Sequence, residues 1–232
     1  MVKNFSPCLL AILEPMLPDR KRVALGLKLG YHCSVSNADQ GGKVWLFFQN
    51  HLNAVKIMAS NQMLIVSFVP PSQSAPISFS VVYAKCCKIQ RRALWSEIEN
   101  LSRLTQNAWA IAGDFNVVIS TDERRGSRVV DSSSFVGNRF TWCNNKEGNA
   151  RVWARLDRVL INSPWVSMFQ LFRVEHLPQT NSNHAPLRLV LPAQTPPKET
   201  FGNVFRQIQI AEEELEGIDF RLQSGPSKVL SR

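Results

Sequence analysis

A strand pattern, an amphipathic helix pattern and a second strand pattern follow one another between residues 79 and 115. Phe79–Ala84 is rich in β-branched and aromatic residues, which favour strands. In Arg91–Leu104, apolar residues recur at every third or fourth position, which predicts a helix with one buried face. Trp109–Phe115 is again an apolar strand pattern. This order favours a mixed α/β fold over an all-β barrel.

Strand patterns also cover much of the chain before and after this unit. Cys8–Leu13 is a continuous apolar run that ends at Glu14 and Pro15, as expected for a central strand covered on both faces. Asn37–Gly42 has the polar, glycine-containing composition of a hairpin turn. The other predicted strands are Val44–Phe48, Met63–Val69, Arg139–Cys143, Arg155–Asn162 and Leu187–Leu191.

The C-terminal part of the chain differs in pattern from the part before it. We expect one domain over residues 1–192, followed by a linker over residues 193–200. Residues 201–220 are predicted to form a helix, because their apolar side chains fall on one helical stripe. Residues 221–232 are predicted to be a disordered tail.

The charge balance favours a polyanionic partner. The chain has 27 Lys and Arg residues against 18 Asp and Glu residues, a formal net charge of +9. Such a surplus suits nucleic acid or an anionic membrane surface, although a merely basic soluble protein has the same composition. No apolar run approaches the ~20 residues that a membrane span needs. We therefore expect no membrane association, and the charge alone leaves nucleic acid as one candidate for the polyanionic partner.

Cysteine content and the N-terminal sequence predict an intracellular protein. The five cysteines form an odd set without CxxC spacing, which indicates reduced thiols. The apolar stretch Cys8–Leu13 is too short for a signal peptide. Action on chromosomal DNA would imply the nucleus.

Asp114 and Asn116 end an apolar strand pattern in the tetrapeptide Gly-Asp-Phe-Asn. Side chains two positions apart on an extended segment share a face, so both can point into one pocket. There the carboxylate can exchange a proton with a nucleophilic water, and the amide can orient that water or a phosphate. The alternative is an ordinary turn, which the same residue types favour.

Asp157 and His184 are a second candidate pair. Asp157 lies between Arg155 and Arg158, where a solvated ion pair is the ordinary interpretation. Its alternative role is to hold a histidine in one tautomer and orientation. His184, which precedes Ala-Pro, becomes a candidate catalyst if Asp157 reaches it.

Glu14 completes a set of polar residues that end or follow apolar strand patterns. A single carboxylate at the end of a buried strand is a suitable ligand for a hard cation such as Mg²⁺. Open α/β sheets place their sites at strand ends. Together with the Asp114–Asn116 and Asp157–His184 pairs, Glu14 suits metal-assisted hydrolysis of a phosphodiester.

These segments occur in the same order in a known family. The sequence resembles the endonuclease/exonuclease/phosphatase superfamily, and within it the endonuclease domain of plant LINE-type non-LTR retrotransposons. The similarity covers about residues 5–192 and recurs at residues 198–205. The segments that carry it are Ile12–Met16, Gly30–Tyr31, Ser34–Ala38, Val81–Lys85, Gly113–Asn116, Phe140–Trp142, Arg155–Leu160, Ser182–Leu187 and Lys198–Phe205.

The resemblance implies a deoxyribonuclease I-like, four-layer α/β sandwich, incomplete and followed by the C-terminal helix. It also implies hydrolysis of DNA phosphodiester bonds with Mg²⁺ or Mn²⁺ and no small-molecule cofactor. By that resemblance, Asp114 handles the attacking water or the leaving group, and Asn116 orients it. His184, paired with Asp157, contacts the scissile phosphate, to which Tyr83 donates a hydrogen bond.

The metal ligands implied by the resemblance are Glu14 and the residue at position 183. The family has Ser-Asp-His where this chain has Ser-Asn-His, so Asn183 replaces a carboxylate with a neutral amide and weakens the attraction for Mg²⁺. By the same resemblance, an N-terminal strand with a further asparagine ligand and an internal helix between Ser134 and Phe135 are missing.

The sequence leaves three functions open. The first is a Mg²⁺-dependent DNA endonuclease of retrotransposon origin. The second is a non-catalytic, vestigial nucleic-acid-binding domain, which Asn183 and the missing N-terminal ligand favour. The third is a phosphoesterase acting on lipid or small-molecule phosphates, against which the retrotransposon-like Phe140–Trp142 argues.

Overall fold

The computed structural model describes residues 5–70, 73–120, 123–125, 136–180 and 182–191. They belong to the first of two units into which the chain divides, Met1–Pro192 and Ala193–Arg232. The predicted linker over 193–200, the helix over 201–220 and the tail over 221–232 lie outside the described residues, as does the boundary between Ser134 and Phe135.

Short strands make up most of the described fold. In chain order they are β1 (Leu9–Leu13), β2 (Cys33–Ser36), β3 (Val44–Phe48), β4 (Val55–Ala59), β5 (Met63–Phe68), β6 (Ile77–Tyr83), β7 (Trp109–Asp114), β8 (Arg124–Arg125), β9 (Val136–Gly137), β10 (Trp142–Cys143), β11 (Trp153–Ala154), β12 (Asp157–Ile161), β13 (Arg173–His176) and β14 (Leu187–Val190). The helices are α1 (Arg22–Leu29), α2 (Lys88–Leu104) and α3 (Ser163–Met168). In the described part of the chain, no helix is both long and apolar enough to cross a membrane.

The largest sheet has five strands in the order β12-β7-β6-β5-β4. β6 and β7 run parallel, and the other neighbours run antiparallel. Parallel neighbours need a crossover connection, and α2 provides it. A second, antiparallel sheet has the order β1-β3-β2. Smaller sheets have the orders β10-β11-β8 and β14-β13-β9.

The main hydrophobic core is formed by side chains of the five-stranded sheet that pack against side chains of the β1-β3-β2 sheet. Val44 and Leu46 of β3 belong to one buried cluster with Leu64 and Val66 of β5 and with Val81 of β6. Alternate residues of a strand point to opposite faces, so each sheet has a second face to cover. The two sheets therefore form the inner layers of the fold.

Helices cover the outer faces of both sheets. Ile65 of β5 packs in a cluster with Leu94 of α2, and Phe47 of β3 packs in a cluster with Leu25 and Leu29 of α1. The layers thus run helix, sheet, sheet, helix. This is the four-layer α/β sandwich that the family resemblance implied.

One prediction from the sequence, that Cys8–Leu13 forms a central strand, is wrong. The run Cys8–Leu13 does contain a strand, but β1 lies at an edge of its sheet and all five of its residues are only partly buried. The central strand is β3, all five residues of which are buried. An apolar run shows that side chains avoid water, but it does not show which strand has a neighbour on both sides.

The predicted strand Arg139–Cys143 is also shorter in the structure, where only Trp142 and Cys143 form β10. α1 was not predicted at all. Its apolar residues lie all around the helix, with Leu25 packed inward and Val23 and Leu27 more than half exposed, so the sequence shows no single stripe.

Candidate active site

Asp114 and Asp157 face each other where β7 and β12 pair. The antiparallel register places Asp157 directly opposite Asp114, and the two residues are 5% and 2% exposed, respectively. Like charges at such positions repel each other. Burial, followed by the charge of Asp157, raises the pKa of Asp114 to about 6. Asp114 is therefore a stronger base than an ordinary carboxylate.

His184 bridges the two carboxylates. Its Nδ1 lies 2.8 Å from Oδ2 of Asp157, and its Nε2 lies 3.8 Å from Oδ2 of Asp114. An ionised carboxylate can only accept a hydrogen bond. The His184 nitrogen that faces Asp157, Nδ1, therefore carries the proton when the ring is neutral. Burial lowers the pKa of His184, but the hydrogen bond and charge of Asp157, with the charge of Asp114, outweigh burial and raise it overall. The protonated ring is thereby favoured.

Asn116 fixes the carboxylate of Asp114. Its backbone N–H donates to Oδ1 of Asp114 at 2.8 Å, and its side-chain Nδ2 donates to Oδ2 at 3.0 Å. The same Nδ2 donates to the carbonyl of Ala84 at 2.7 Å. Asn116 has a φ of 49°, a left-handed conformation that asparagine tolerates better than most residues. Both oxygens of Asp114 are thus held by one neighbour.

The glycine that precedes Asp114 is required by the close approach of β6. Gly113 has a φ of 140°, and a Cβ added there would lie 2.0 Å from the carbonyl oxygen of Val82. Any side chain would push the end of β7 away from β6. The glycine of Gly-Asp-Phe-Asn therefore has a steric role in placing Asp114.

Thr141 joins the two segments that carry Asp157 and His184. Its Oγ1 accepts from the backbone N–H groups of Leu156 and Asp157, each at 3.0 Å. Its carbonyl accepts from the N–H of Ala185 at 2.6 Å. Thr141 is 1% exposed. The role of Thr141 was not predicted, because a single buried threonine leaves no periodic signal, although it lies in the Phe140–Trp142 segment that carries the resemblance.

Glu14 lies beyond the end of β1 and is exposed. Its Oε1 accepts from Nζ of Lys43 at 3.0 Å, and its side chain is also hydrogen-bonded to the hydroxyl of Tyr83. The hydrogen bonds from Lys43 and Tyr83 lower the pKa of Glu14, so it is anionic at neutral pH. Burial and the bond to Glu14 raise the pKa of Tyr83, which stays a neutral donor. The charge of Glu14 is close enough to act on both Asp114 and His184.

Asn183 is exposed beside His184. Its backbone carbonyl accepts from the N–H of Cys143 at 2.9 Å, which ties this segment to β10. The structure thus brings Asp114, Asn116, Asp157 and His184 into direct contact. Tyr83, with a predicted role at the phosphate, pairs with Asp114 in the register of β6 and β7 and is hydrogen-bonded to Glu14. Among the described residues, neither Glu14 nor Asn183, the predicted metal ligands, hydrogen-bonds to the side chains of the four.

A buried ion pair lies next to the site. Arg158 donates from both terminal nitrogens to the two oxygens of Glu123, each at 2.6 Å, and from one of them to the carbonyl of Val117 at 2.8 Å. The two side chains are 6% and 8% exposed. Asp157 instead contacts His184, so a solvated pair of Asp157 with Arg158 is not what the structure shows. The sequence analysis did not single out Glu123.

The comparisons with known proteins agree with this geometry. Residues 1–170 match the profile of the endonuclease/exonuclease/phosphatase family. The chain belongs to this family. No curated protein sequence matches the chain.

Solved structures show the deoxyribonuclease I-like fold of the family. The endonuclease domain of TRAS1, a telomere-specific non-LTR retrotransposon, is similar with a TM-score of 0.61 at 13% identity, over 84% of this chain and 90% of that chain. Truncated TDP2 from Caenorhabditis elegans has a TM-score of 0.55 at 15% identity, over 83% and 87%. The 3′ phosphatase NExo from Neisseria, bound to a product DNA hairpin, has a TM-score of 0.55 at 13% identity, over 83% and 91%.

The acidic site fits a divalent metal ion, on which members of this family typically depend. One ligand atom each of Asp114, Asp157 and His184 lies within 4.8 Å of the others. Carboxylate oxygens are preferred by hard divalent cations, whereas His184 could ligate an ion only through a neutral ring, which its raised pKa disfavours. The lowered pKa of Glu14 keeps a further anionic carboxylate available nearby. The donor set of this endonuclease/exonuclease/phosphatase domain is therefore chemically suitable for such an ion.

Proposed function

We propose that this chain is a Mg²⁺-dependent endonuclease that hydrolyses DNA phosphodiester bonds. The observation that carries the proposal is His184, bound to Asp157 at 2.8 Å and facing Asp114 at 3.8 Å. A histidine oriented by one carboxylate and placed beside a second provides both an acid and a base. Membership of the family and the net charge of +9 support DNA as the substrate.

Asp114 is the general base of the proposed reaction. Its pKa of about 6 leaves it ionised at neutral pH yet more basic than an exposed carboxylate. It takes a proton from a water molecule, whose oxygen bonds to phosphorus while the bond from phosphorus to the leaving oxygen breaks, and the leaving oxygen takes a proton from solvent water to become a hydroxyl. Asn116 holds the carboxylate in position through its two hydrogen bonds.

His184 stabilises the phosphate. With Nδ1–H directed at Asp157, the protonated ring presents Nε2–H to a phosphate oxygen and offsets the charge that develops there. Tyr83 adds a neutral hydroxyl donor, and Glu14 and the amide oxygen of Asn183 are the residues that would hold Mg²⁺. When bound, such an ion would supply positive charge that offsets the charge developing on the phosphate.

The proposed origin is a plant LINE-type retrotransposon endonuclease, and the proposed location is the nucleus. The likeness to the TRAS1 endonuclease domain supports the retrotransposon origin. The plant assignment depends on the sequence segments named above, and the nuclear location follows from DNA as substrate.

A second function, DNA binding without catalysis, is favoured by one observation. Asn183 presents an exposed neutral amide where the resemblance implies a carboxylate ligand for the metal ion. A weakened metal site would leave the basic protein able to bind DNA through phosphate contacts alone. A third reading, a phosphoesterase for lipid or small-molecule phosphates, has no such observation in its favour.

Nicking of supercoiled plasmid by the full-length chain tests these functions. We expect nicking with Mg²⁺, none with EDTA, and a loss of at least about a hundredfold in His184→Ala, because removing one donor to the charge that develops in the transition state has an effect of this size. His51→Ala, which changes an exposed histidine outside the site, is the matched control and should nick normally.

Asn183→Asp separates the two main functions further. Restoring a carboxylate is expected to increase Mg²⁺-dependent nicking. If the folded protein binds plasmid but neither it nor Asn183→Asp nicks it, catalysis is refuted and DNA binding alone is the better description. Release of phosphate from inositol phosphates without nicking would instead favour the phosphoesterase.

A further inference from the structure

Lys43 is a charged residue of the site to which neither the sequence nor the proposed mechanism assigned a role. It precedes β3 and lies across from Glu14, which follows β1. The N–H of Glu14 donates to the carbonyl of Lys43 at 2.8 Å, while Nζ of Lys43 donates to Oε1 of Glu14 at 3.0 Å. The backbone bond holds the two residues side by side, so their side chains meet without a long reach.

The carboxylate of Glu14 is the point where Lys43 and a metal ion would compete. Glu14 is the anionic residue to which the proposed function assigns metal binding, and Lys43 already compensates its charge. Tyr83 is also hydrogen-bonded to the carboxylate of Glu14, but its hydroxyl is neutral and does not compensate the negative charge. An ammonium group and a divalent cation at the same oxygen repel each other, so strong binding of one weakens binding of the other.

The Lys43–Glu14 pair is exposed enough to exchange partners. The side chains are 57% and 45% exposed. Exposed pairs are held weakly because water and salt screen them. A divalent ion carries twice the charge of the ammonium group and can displace it at little cost. The ion then repels the ammonium group of Lys43. Because the lysine side chain is flexible along its four carbons, this group can move to bind another anion.

We propose that Lys43 couples metal binding to DNA binding: its ammonium group holds Glu14 when no divalent ion is bound, and contacts a DNA phosphate when the ion takes Glu14. This inference rests on the proposed function, since it takes DNA as substrate and Glu14 as a metal ligand. Coupling between two ligands is reciprocal, so DNA must also tighten metal binding. Lys43 is in this sense a positioning residue for both ligands.

Metal binding without DNA is the first measurement. Calorimetric titration of Mn²⁺ into the full-length chain is compared among the unchanged protein, Lys43→Met and Lys56→Met. We expect Mn²⁺ to bind Lys43→Met about five- to tenfold more tightly, as removal of one adjacent positive charge predicts. Lys56→Met is the matched control, because it removes a partly exposed ion pair with Asp39 that does not include Glu14, and it should leave Mn²⁺ affinity unchanged.

The salt dependence of DNA binding is the second measurement. A labelled duplex is titrated by fluorescence anisotropy with Mn²⁺ or EDTA, in a His184→Ala background so that the DNA stays intact. With Lys43 present, Mn²⁺ should steepen the slope of log affinity against log salt by about 0.9, the value for one additional phosphate contact. In Lys43→Met this increment should disappear, whereas Lys56→Met should retain it.

Each alternative result has a defined meaning. Unchanged or weaker Mn²⁺ binding in Lys43→Met, no measurable Mn²⁺ binding, or a slope increment that persists without Lys43 overturns the inference. Lys43-dependent coupling in a protein that never nicks plasmid would support it while refuting the endonuclease. Mg²⁺-dependent nicking, together with no effect of Lys43→Met on Mn²⁺ binding or on the salt slope, would support the endonuclease and refute the inference about Lys43.

Discussion

Asp114 illustrates, at the residue scale, how burial supports the proposed chemistry and destabilises the fold. It is 2% exposed, and burial and the charge of Asp157 raise its pKa from 3.8 to about 6. A raised carboxylate pKa means that folding favours the protonated form. This contribution to stability is fully present below pH 3.8 and is lost as the pH rises through about 6.

Asp114→Asn should therefore stabilise the metal-free protein at neutral pH. The pKa shift corresponds to about 3 kcal/mol. Loss of the hydrogen bond from Nδ2 of Asn116 costs about 1 kcal/mol. We expect a net gain of about 2 kcal/mol in the free energy of unfolding near pH 7.5 and little change near pH 4, measured by urea denaturation. Plasmid nicking should be lost in the same variant.

The exposed carboxylate Asp39 provides the control. Asp39→Asn should show no gain in stability at neutral pH, because its charge is not desolvated. If Asp114→Asn were less stable than the unchanged protein near pH 7.5, repulsion and desolvation at Asp114 would not be the dominant effects there.

At the scale of elements, the Glu123–Arg158 pair holds the segment after β7 against β12. Arg158 contacts the carbonyl of Val117, and Glu123 accepts from the N–H of Ile119 at 2.8 Å. The same two strands carry Asp114 and Asp157, whose charges repel each other. The buried pair thus stabilises an arrangement in which two carboxylates are kept close together.

Arg158→Met should leave the buried carboxylate of Glu123 without its close ionic partner, since Arg155 approaches it only to 3.8 Å. We expect a loss of about 3–5 kcal/mol in the free energy of unfolding, the usual result of breaking a buried ion pair. The double variant Arg158→Met/Glu123→Leu should recover most of that loss, because no buried charge remains. Arg103→Met, at an exposed helix pair with Glu99, is the control and should change stability by about 0.5 kcal/mol or less. An Arg158→Met protein as stable as the original would show that Glu123 is solvated.

At the scale of the whole molecule, the net charge of +9 should govern the proposed binding to DNA. The charge acts through phosphate contacts that do not depend on base sequence, and each contact releases a counterion. A protein that contacts 6–10 phosphates loses a factor of about 10³–10⁵ in affinity between about 50 and 200 mM salt. We expect this protein to lose affinity steeply over the same range, measured by anisotropy with duplexes of unrelated sequence. An affinity independent of salt would contradict a charge-driven interface.

The sequence by itself determined the elements whose pattern is local. The strand–helix–strand order of β6, α2 and β7 follows from periods of two and about 3.6 residues, which neighbouring residues encode without the rest of the chain. The tetrapeptide Gly-Asp-Phe-Asn likewise placed Asp114 and Asn116 at the end of a strand, and family resemblance extended the prediction to the four layers.

Tertiary structure alone decided which of these elements and side chains meet. The residues alone left Asp157 open between an arginine and His184, and the resemblance implied the histidine; in the structure Asp157 contacts His184, 27 residues away, and Arg158 pairs with Glu123, 35 residues away. The edge position of β1, the role of Thr141 and the Lys43–Glu14 pair were not visible in the sequence. Local periodicity records whether a side chain faces water, whereas partners distant along the chain depend on the path of the whole backbone.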